Sequence, residues 1–167
     1  SITVDSGPGL GNILLDAAIE GTTANSQSLI LDAGTGGTLT ITGSIGKATA
    51  LNTFTLVDSN GAEIGTLDTD YIVADTLVHI VSSVAGALVR FNGGVKTPQV
   101  NADEAGYHLQ FAGSGTNVGT DMGSDYLSAI LRNTGEAIFG DGNNDILLFR
   151  NGVEVFAASS VELYGSI

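Results

Sequence analysis

Apolar residues in this chain come in runs of three to five, often alternating with Ser, Thr or Asp, and many of the runs stop at Gly, Asn or Asp. Runs this short read as strands, and none reaches helical length. The stretch from Ser28 to Asn52 shows the unit most clearly. It holds a strand (Leu29-Ile30-Leu31), a turn (Gly34, Gly36, Gly37), a strand (Thr38 to Thr42), a corner at Gly43, the apolar Ile45 and a polar return. The preceding residues repeat it. Asp5 aligns with Asp32 at a separation of 27 (32 − 5), while Ile13 aligns with Leu39, Leu15 with Ile41, Ile19 with Ile45 and Ala24 with Ala50, each at 26. Repetition at a fixed period of about 20–50 residues is the mark of a solenoid, propeller or array.

Read onward, the third unit begins at Phe54 to Asp58, 26 residues (58 − 32) after its predecessor at Asp32, and includes Tyr71-Ile72-Val73. The fourth runs from Leu77 to Val95, with Ile41 matched by Phe91 and Ile45 by Val95 at 50 residues, two periods on. A fifth is expected from Tyr107, with a glycine-rich excursion over Gly113 to Gly123 and a resumption from Tyr126 to Leu131. A sixth is expected from Ala137 through Phe156, and Val161-Glu162-Leu163-Tyr164 reads as the first strand of a seventh. None of these strands buries a face alone. Coiling the chain stacks equivalent strands about 4.8 Å apart around a shared apolar interior. The pattern therefore predicts an all-β parallel β-solenoid of about six rungs, a single domain over residues 1–167. The alternative is a β-sandwich, pilin-like subunit in which the repeat reflects only strand and turn spacing. The columns predicted to point inward are Leu29, Leu31, Leu39, Ile41 and Ile45, stacked on Ile2, Val4, Ile13, Leu15 and Ile19.

Composition narrows the function classes. The 167 residues include 24 Gly, which suits many tight turns, and no Cys, which excludes disulfides, thiolate chemistry and Cys-based metal sites. Net charge is −13 with five basic residues: Lys47, Arg90, Lys96, Arg132 and Arg150. Five scattered cations give no footprint for nucleic acid, and an acidic surface disfavours anionic membranes. No run of 18 apolar residues is present, so no membrane insertion is expected. The chain opens directly in a strand pattern, as expected of a mature product, an excised module or part of something larger.

The segments Ser28 to Gly37, Leu39 to Gly46 and Phe91-Asn92-Gly93-Gly94-Val95 resemble the secreted β-strand-repeat and filamentous-haemagglutinin-like surface proteins of bacteria. The resemblance covers Ser1 to about Asn101. It implies a right-handed parallel β-helix, an extracellular or cell-surface location, and a role in adhesion or surface architecture, and it carries no catalytic residue. The expected function is a structural module of a bacterial surface fibre, sheath or adhesin. The alternative is a binding module presenting the Gly113–Gly123 excursion to a host or polysaccharide ligand.

Candidate chemistry is sparse. Gly140-Asp141-Gly142-Asn143-Asn144-Asp145 is partly similar to the nonapeptide of calcium-binding β-rolls, so Asp141, Asn143 and Asp145 are the candidate Ca²⁺ ligands. The competing reading is an ordinary Asx-rich turn. Asp121, Ser124 and Asp125 form a second oxygen-rich loop. The column Asp5, Asp32, Asp58 stacks carboxylates that either cap turn amides or share a cation. A polysaccharide lyase or hydrolase needs clustered carboxylates beside a cation, such as Asp125 with Arg90 or Arg132. Without Trp, and with ten aromatics (4 Tyr, 6 Phe), sugar-stacking platforms are few, so no enzyme is expected. His79 and His108 read as ladder or turn residues. Thr38, Thr40 and Thr42 form no repeated flat ladder, which removes an ice-binding array. Since both Ser1 to Val4 and Val161 to Tyr164 read as first-position strands, the expected partner is another copy stacked head to tail, or neighbouring repeats.

Overall fold

A computed structural model describes residues 1–7, 9–119, 128–142 and 144–167. These residues form strands, bridges and turns with no helix, wound as a parallel β-solenoid of about six turns with three faces. The sandwich alternative is thereby set aside.

The first rung holds β1 (Ile2–Asp5), β2 (Ile13–Leu15) and a bridge residue, Ile19. The second holds β3 (Ser28–Asp32), β4 (Leu39–Ile41) and the bridge residue Ile45. Next come β5 (Leu51–Asp58) and β6 (Ala62–Ile64), then β7 (Ile72–Ile80), which turns a corner. Its first residues close the third face of rung three, and Val78 to Ile80 open rung four on the first face. Rung four continues with β8 (Leu88–Phe91) and β9 (Val95–Thr97). Rung five holds β10 (Val100–Ala102), β11 (His108–Phe111) and β12 (Thr116–Val118). Rung six holds β13 (Ala129–Leu131), β14 (Ala137–Phe139) and β15 (Leu147–Phe149), and β16 (Val153–Val155) and β17 (Val161–Leu163) begin a further rung.

On the first face the order is β1-β3-β5-β7-β10-β13-β16, and on the second it is β17-β14-β11-β8-β6-β4-β2. The third runs from Ile19 through Ile45 and Ile72 into β9, β12 and β15. Every strand pair is parallel, and the register expected from the repeat is the one observed. Ile2 pairs with Leu29, Val4 with Leu31, Asp5 with Asp32, Ile13 with Leu39 and Leu15 with Ile41. Asp32 pairs with Asp58 after a one-residue bulge in β5. Ile41 reaches Phe91 through Ile64, and Ile45 reaches Val95 through Ile72.

The later rungs correct the expected assignment. Val161–Leu163 is not a first-face strand: it pairs with Ala137–Phe139 on the second face. The first-face strand of that rung is Val153–Val155, paired with Ala129–Leu131. Likewise Tyr107 and Ala137 do not open rungs five and six, which begin at Val100 and Ala129. The physical reason is uneven side length. First-face separations are 22 residues from Val78 to Val100 and 29 from Val100 to Ala129, so one period no longer carries the register. Part of the expected excursion is a strand, Thr116–Val118, on the third face; its residues 120–123, and Tyr126, lie outside the described residues.

The interior is one continuous apolar column, including Leu31, Ile41, Phe54, Leu56, Ile64, Val89 and Leu109, all buried. Its upper half is aromatic. Phe91 and Phe111 stack at 5.5 Å, Phe111 and Phe139 at 5.8 Å, and Phe149 meets Phe111 edge-on at 5.7 Å. Tyr107 is buried beside them, its hydroxyl donating to the Asp103 carbonyl at 3.2 Å. Burial, with the Asp103 carboxylate nearby, pushes its phenol well above the ordinary tyrosine range. Corners are equally close. At Gly93 an added Cβ would coincide with the carbonyl oxygen of Asp70 in the rung below, so only glycine lets these backbones meet.

Candidate functional site

The turn chosen for calcium is a self-capped turn in its described part. One carboxylate oxygen of Asp145, Oδ2, accepts the backbone N–H groups of Asp141 (2.7 Å) and Gly142 (2.8 Å). Asp141 Oδ2 instead pairs with the Arg90 guanidinium at 2.7 Å, reaching across the outer surface of the second face. The two carboxylates thus have separate partners, and Asn143 lies outside the described residues, as do Asp121, Ser124 and Asp125.

Asp5, Asp32 and Asp58 do stack in register at one corner. Each caps its own turn: Asp5 accepts from Gly7 N–H (2.6 Å), Asp32 from Gly34 N–H (2.9 Å) and Asp58 from Ser59 N–H (2.9 Å). Gly34 sits at φ 66°, where the tight Asx turn needs a glycine. The three carboxylates edge a shallow cavity of about 300 Å³ with Gly7, Gly34 and Thr35. No group of three or more His, Asp and Glu side chains among the described residues is arranged to hold a metal ion.

Both histidines lie on the outer surface with carboxylates of the next rung. His79 Nε2 is 2.9 Å from Asp103 Oδ2, and His108 Nδ1 is 3.3 Å from Glu136 Oε2 while also accepting the Glu136 backbone N–H at 3.0 Å. With Arg90–Asp141, these pairs tie rungs four to six together on the outside. Arg132 lies over the Phe156 ring, 5.0 Å from its centroid.

One arrangement escaped the sequence reading. On the third face, Lys47, Tyr71 and Lys96 come from three successive rungs and meet at one ring. Lys96 Nζ sits 3.7 Å and Lys47 Nζ 5.4 Å from the Tyr71 centroid. Gly94 and Gly115 make room for that ring, since a Cβ at Gly94 would press on its edge. The signal was available: Tyr71 follows Lys47 by 24 residues (71 − 47) and precedes Lys96 by 25 (96 − 71), close to the period that stacks every other column. Comparison with protein-family models, curated proteins and solved structures finds no match.

Beside this cluster, Val73, Ala74, Asp75, Lys96, Thr97, Pro98, Asn117, Gly119 and Arg150 line an open cavity of about 360 Å³. Below it, Asp70 Oδ2 accepts from Thr66 N–H, Thr66 Oγ1 and Leu67 N–H at 2.9–3.0 Å. Slight burial raises the Asp70 pKa, but these bonds, with Lys47 nearby, outweigh it and hold the carboxyl below its ordinary range. The third face thus gathers three of the five cations in the chain, Lys47, Lys96 and Arg150, on a protein of net charge −13.

Proposed function

We propose that the chain is a structural module of an extracellular bacterial surface fibre, sheath or adhesin, acting as a rigid length of solenoid without catalysis. The observation that carries this reading is the unbroken inward column and its state at the two end rungs. Column members inside the stack, such as Leu31, Phe54 and Leu109, are buried, whereas Ile2 is 60% exposed at one end and Val161 and Leu163 are 50% and 65% exposed at the other. Among the described residues, the end strands β1, β2, β16 and β17 each pair with a parallel neighbour on one side only. Such a face pairs with a further rung, because open strand edges and apolar ends are costly in water. That rung comes from neighbouring repeats of the same polypeptide or from a second copy stacked head to tail, a heterologous contact that propagates.

The two faces fit. Continuing the parallel register would set Val153 and Val155 over Ile2 and Val4, and Val161 and Leu163 over Ile13 and Leu15 of the next unit. Glu154 and Glu162 would then stand beside Thr3 and Leu14, with no like charges opposed. The cell-surface setting is supported by the turn-glycine repeats that carry the resemblance to secreted surface proteins. The test is sedimentation velocity with electron microscopy on the 167-residue chain at rising concentration. Filaments one solenoid wide are expected, lost in Val161→Lys/Leu163→Lys, which should still show the wild-type β circular dichroism spectrum. A strictly monomeric chain at high concentration would defeat pairing between copies.

A further inference from the structure

We infer that Asn60 is a self-modification site, where the Gly61 backbone nitrogen closes on the Asn60 carboxamide and converts the residue to aspartate and isoaspartate. Asn-Gly pairs occur at Asn60-Gly61, Asn92-Gly93 and Asn151-Gly152. Glycine carries no side chain to shield its nitrogen and turns freely, so all three pairs have the sequence for ring closure. The fold separates them. Asn92 is clamped: its Nδ2 donates to Glu63 Oε2 at 2.7 Å and to the Gly65 carbonyl at 3.0 Å, and Gly93 packs against the Asp70 carbonyl. At the third pair the nucleophile is engaged, because Gly152 N–H donates to the Phe149 carbonyl at 3.2 Å. Asn151 N–H is held as well, by Ser128 Oγ at 2.8 Å. Asn60 is exposed, and neither its carboxamide nor the Gly61 N–H makes a hydrogen bond among the described residues. Asn60, Gly61 and Glu63 edge an open cavity of about 370 Å³ on the second face, which leaves room for the ring.

Water is the only co-reactant. A solvent base takes the Gly61 N–H proton and the nitrogen bonds to Asn60 Cγ. The Cγ–Nδ2 bond then breaks with release of ammonia, leaving a succinimide ring. Water opens that ring at either carbonyl. Addition at Cγ gives aspartate, and addition at the main-chain carbonyl carbon of Asn60 gives isoaspartate, whose backbone runs through Cβ and Cγ. Isoaspartate thus adds one backbone carbon where the chain has no slack. Asn60 N–H donates to the Gly37 carbonyl at 2.7 Å, and the Gly61 carbonyl accepts from Leu39 N–H at 3.1 Å. These two bonds hold rung three to rung two on either side of the reacting peptide. The lengthened chain cannot keep both, so the corner between the first and second faces opens locally. The site lies in the rung body and does not depend on end pairing.

Ageing the 167-residue chain in mildly alkaline buffer, folded and in parallel unfolded in guanidinium, tests this. Peptide mapping by mass spectrometry follows the exchange of NH2 for OH at each pair, and enzymatic isoaspartate methylation identifies the rearranged product. In the folded chain Asn60 should convert several-fold faster than Asn92 or Asn151, while in the unfolded chain the three rates should converge. Asn60→Gln, which cannot close the same ring, should lose the product at this position and keep the wild-type circular dichroism spectrum. Hydrogen exchange reads the consequence: the Leu39 amide should lose protection in the isoaspartyl fraction and keep it in Asn60→Asp, which has the normal linkage. Conversion of Asn92 or Asn151 as fast as Asn60 in the folded chain, or no conversion of Asn60 there, would overturn the site. Unchanged Leu39 protection in the isoaspartyl fraction would overturn the local opening.

Discussion

Phe111→Ala is the sharpest probe of the solenoid interior. Phe111 is 1% exposed and touches three rings, Phe91 below, Phe139 above and Phe149 edge-on. Truncating a buried Phe to Ala costs about 3–5 kcal/mol, cavity included. Three ring contacts, each worth about 0.5–1.5 kcal/mol beyond area burial, place this site near the top of that range. The stack is held between rungs, so inward collapse would require shifting hydrogen-bonded strands on both sides, and the cavity stays largely open. At about 5 kcal/mol, with roughly 2–4 °C per kcal/mol for a chain of this size, the melting temperature should fall by about 10–20 °C. Phe111→Leu keeps most of the volume and should cost about half as much. Phe156→Ala is the control: Phe156 is 55% exposed and contacts Arg132, and its loss should cost under about 1 kcal/mol. Urea and thermal melts followed by circular dichroism measure all three. A Phe111→Ala loss no larger than that of Phe156→Ala would refute the stacked interior.

Gly93→Ala should destabilise by about 2–3 kcal/mol or more, since the new methyl must displace the Asp70 backbone, whereas Gly86→Ala, at φ 79° with open space around it, should cost about 1 kcal/mol; urea midpoints compare them. Asp70 contributes stability that is present above the ordinary carboxylate range and lost as pH falls through its lowered folded value, so Asp70→Asn should flatten the acid limb of a stability–pH curve below about pH 4 while lowering stability at pH 7. Exchanging chelator for millimolar Ca²⁺ should leave the melting curve unmoved, because Asp145 is spent on two turn amides and Asp141 on Arg90; saturation at 100 times a Kd would instead add about 2.7 kcal/mol.

Rungs one to four were legible because their side lengths are nearly equal, so a separation of 26–27 residues aligned Asp5 with Asp32, Ile13 with Leu39, Leu15 with Ile41 and Ile19 with Ile45 and carried Asp32 on to Asp58. Val100–Ala102 was missed for a physical reason. It is three residues long, follows Pro98 closely, and its polar centre Asn101 hides an alternation of only two apolar residues. Once that strand was passed over, the count slipped by one face, and Val161–Leu163 took the place belonging to Val153–Val155. For the column of Asp5, Asp32 and Asp58 the sequence left turn capping and a shared cation open, and geometry shows each carboxylate capping its own turn. The Lys47–Tyr71–Lys96 cluster carries the repeat period yet was overlooked, since a cation scattered among acids draws no attention until its neighbours across rungs are known.

Among the described residues the ladder hydrogen bonds between rungs run along the solenoid axis, and β1 and β16 lie at opposite edges of the first sheet. Tension applied between those edges therefore pulls each ladder open bond by bond, like a zipper, instead of shearing many bonds at once. A rung of about 25 residues, drawn out at about 3.4 Å per residue, releases roughly 85 Å of chain. Under load the solenoid would lengthen in such steps, beginning at its end rungs.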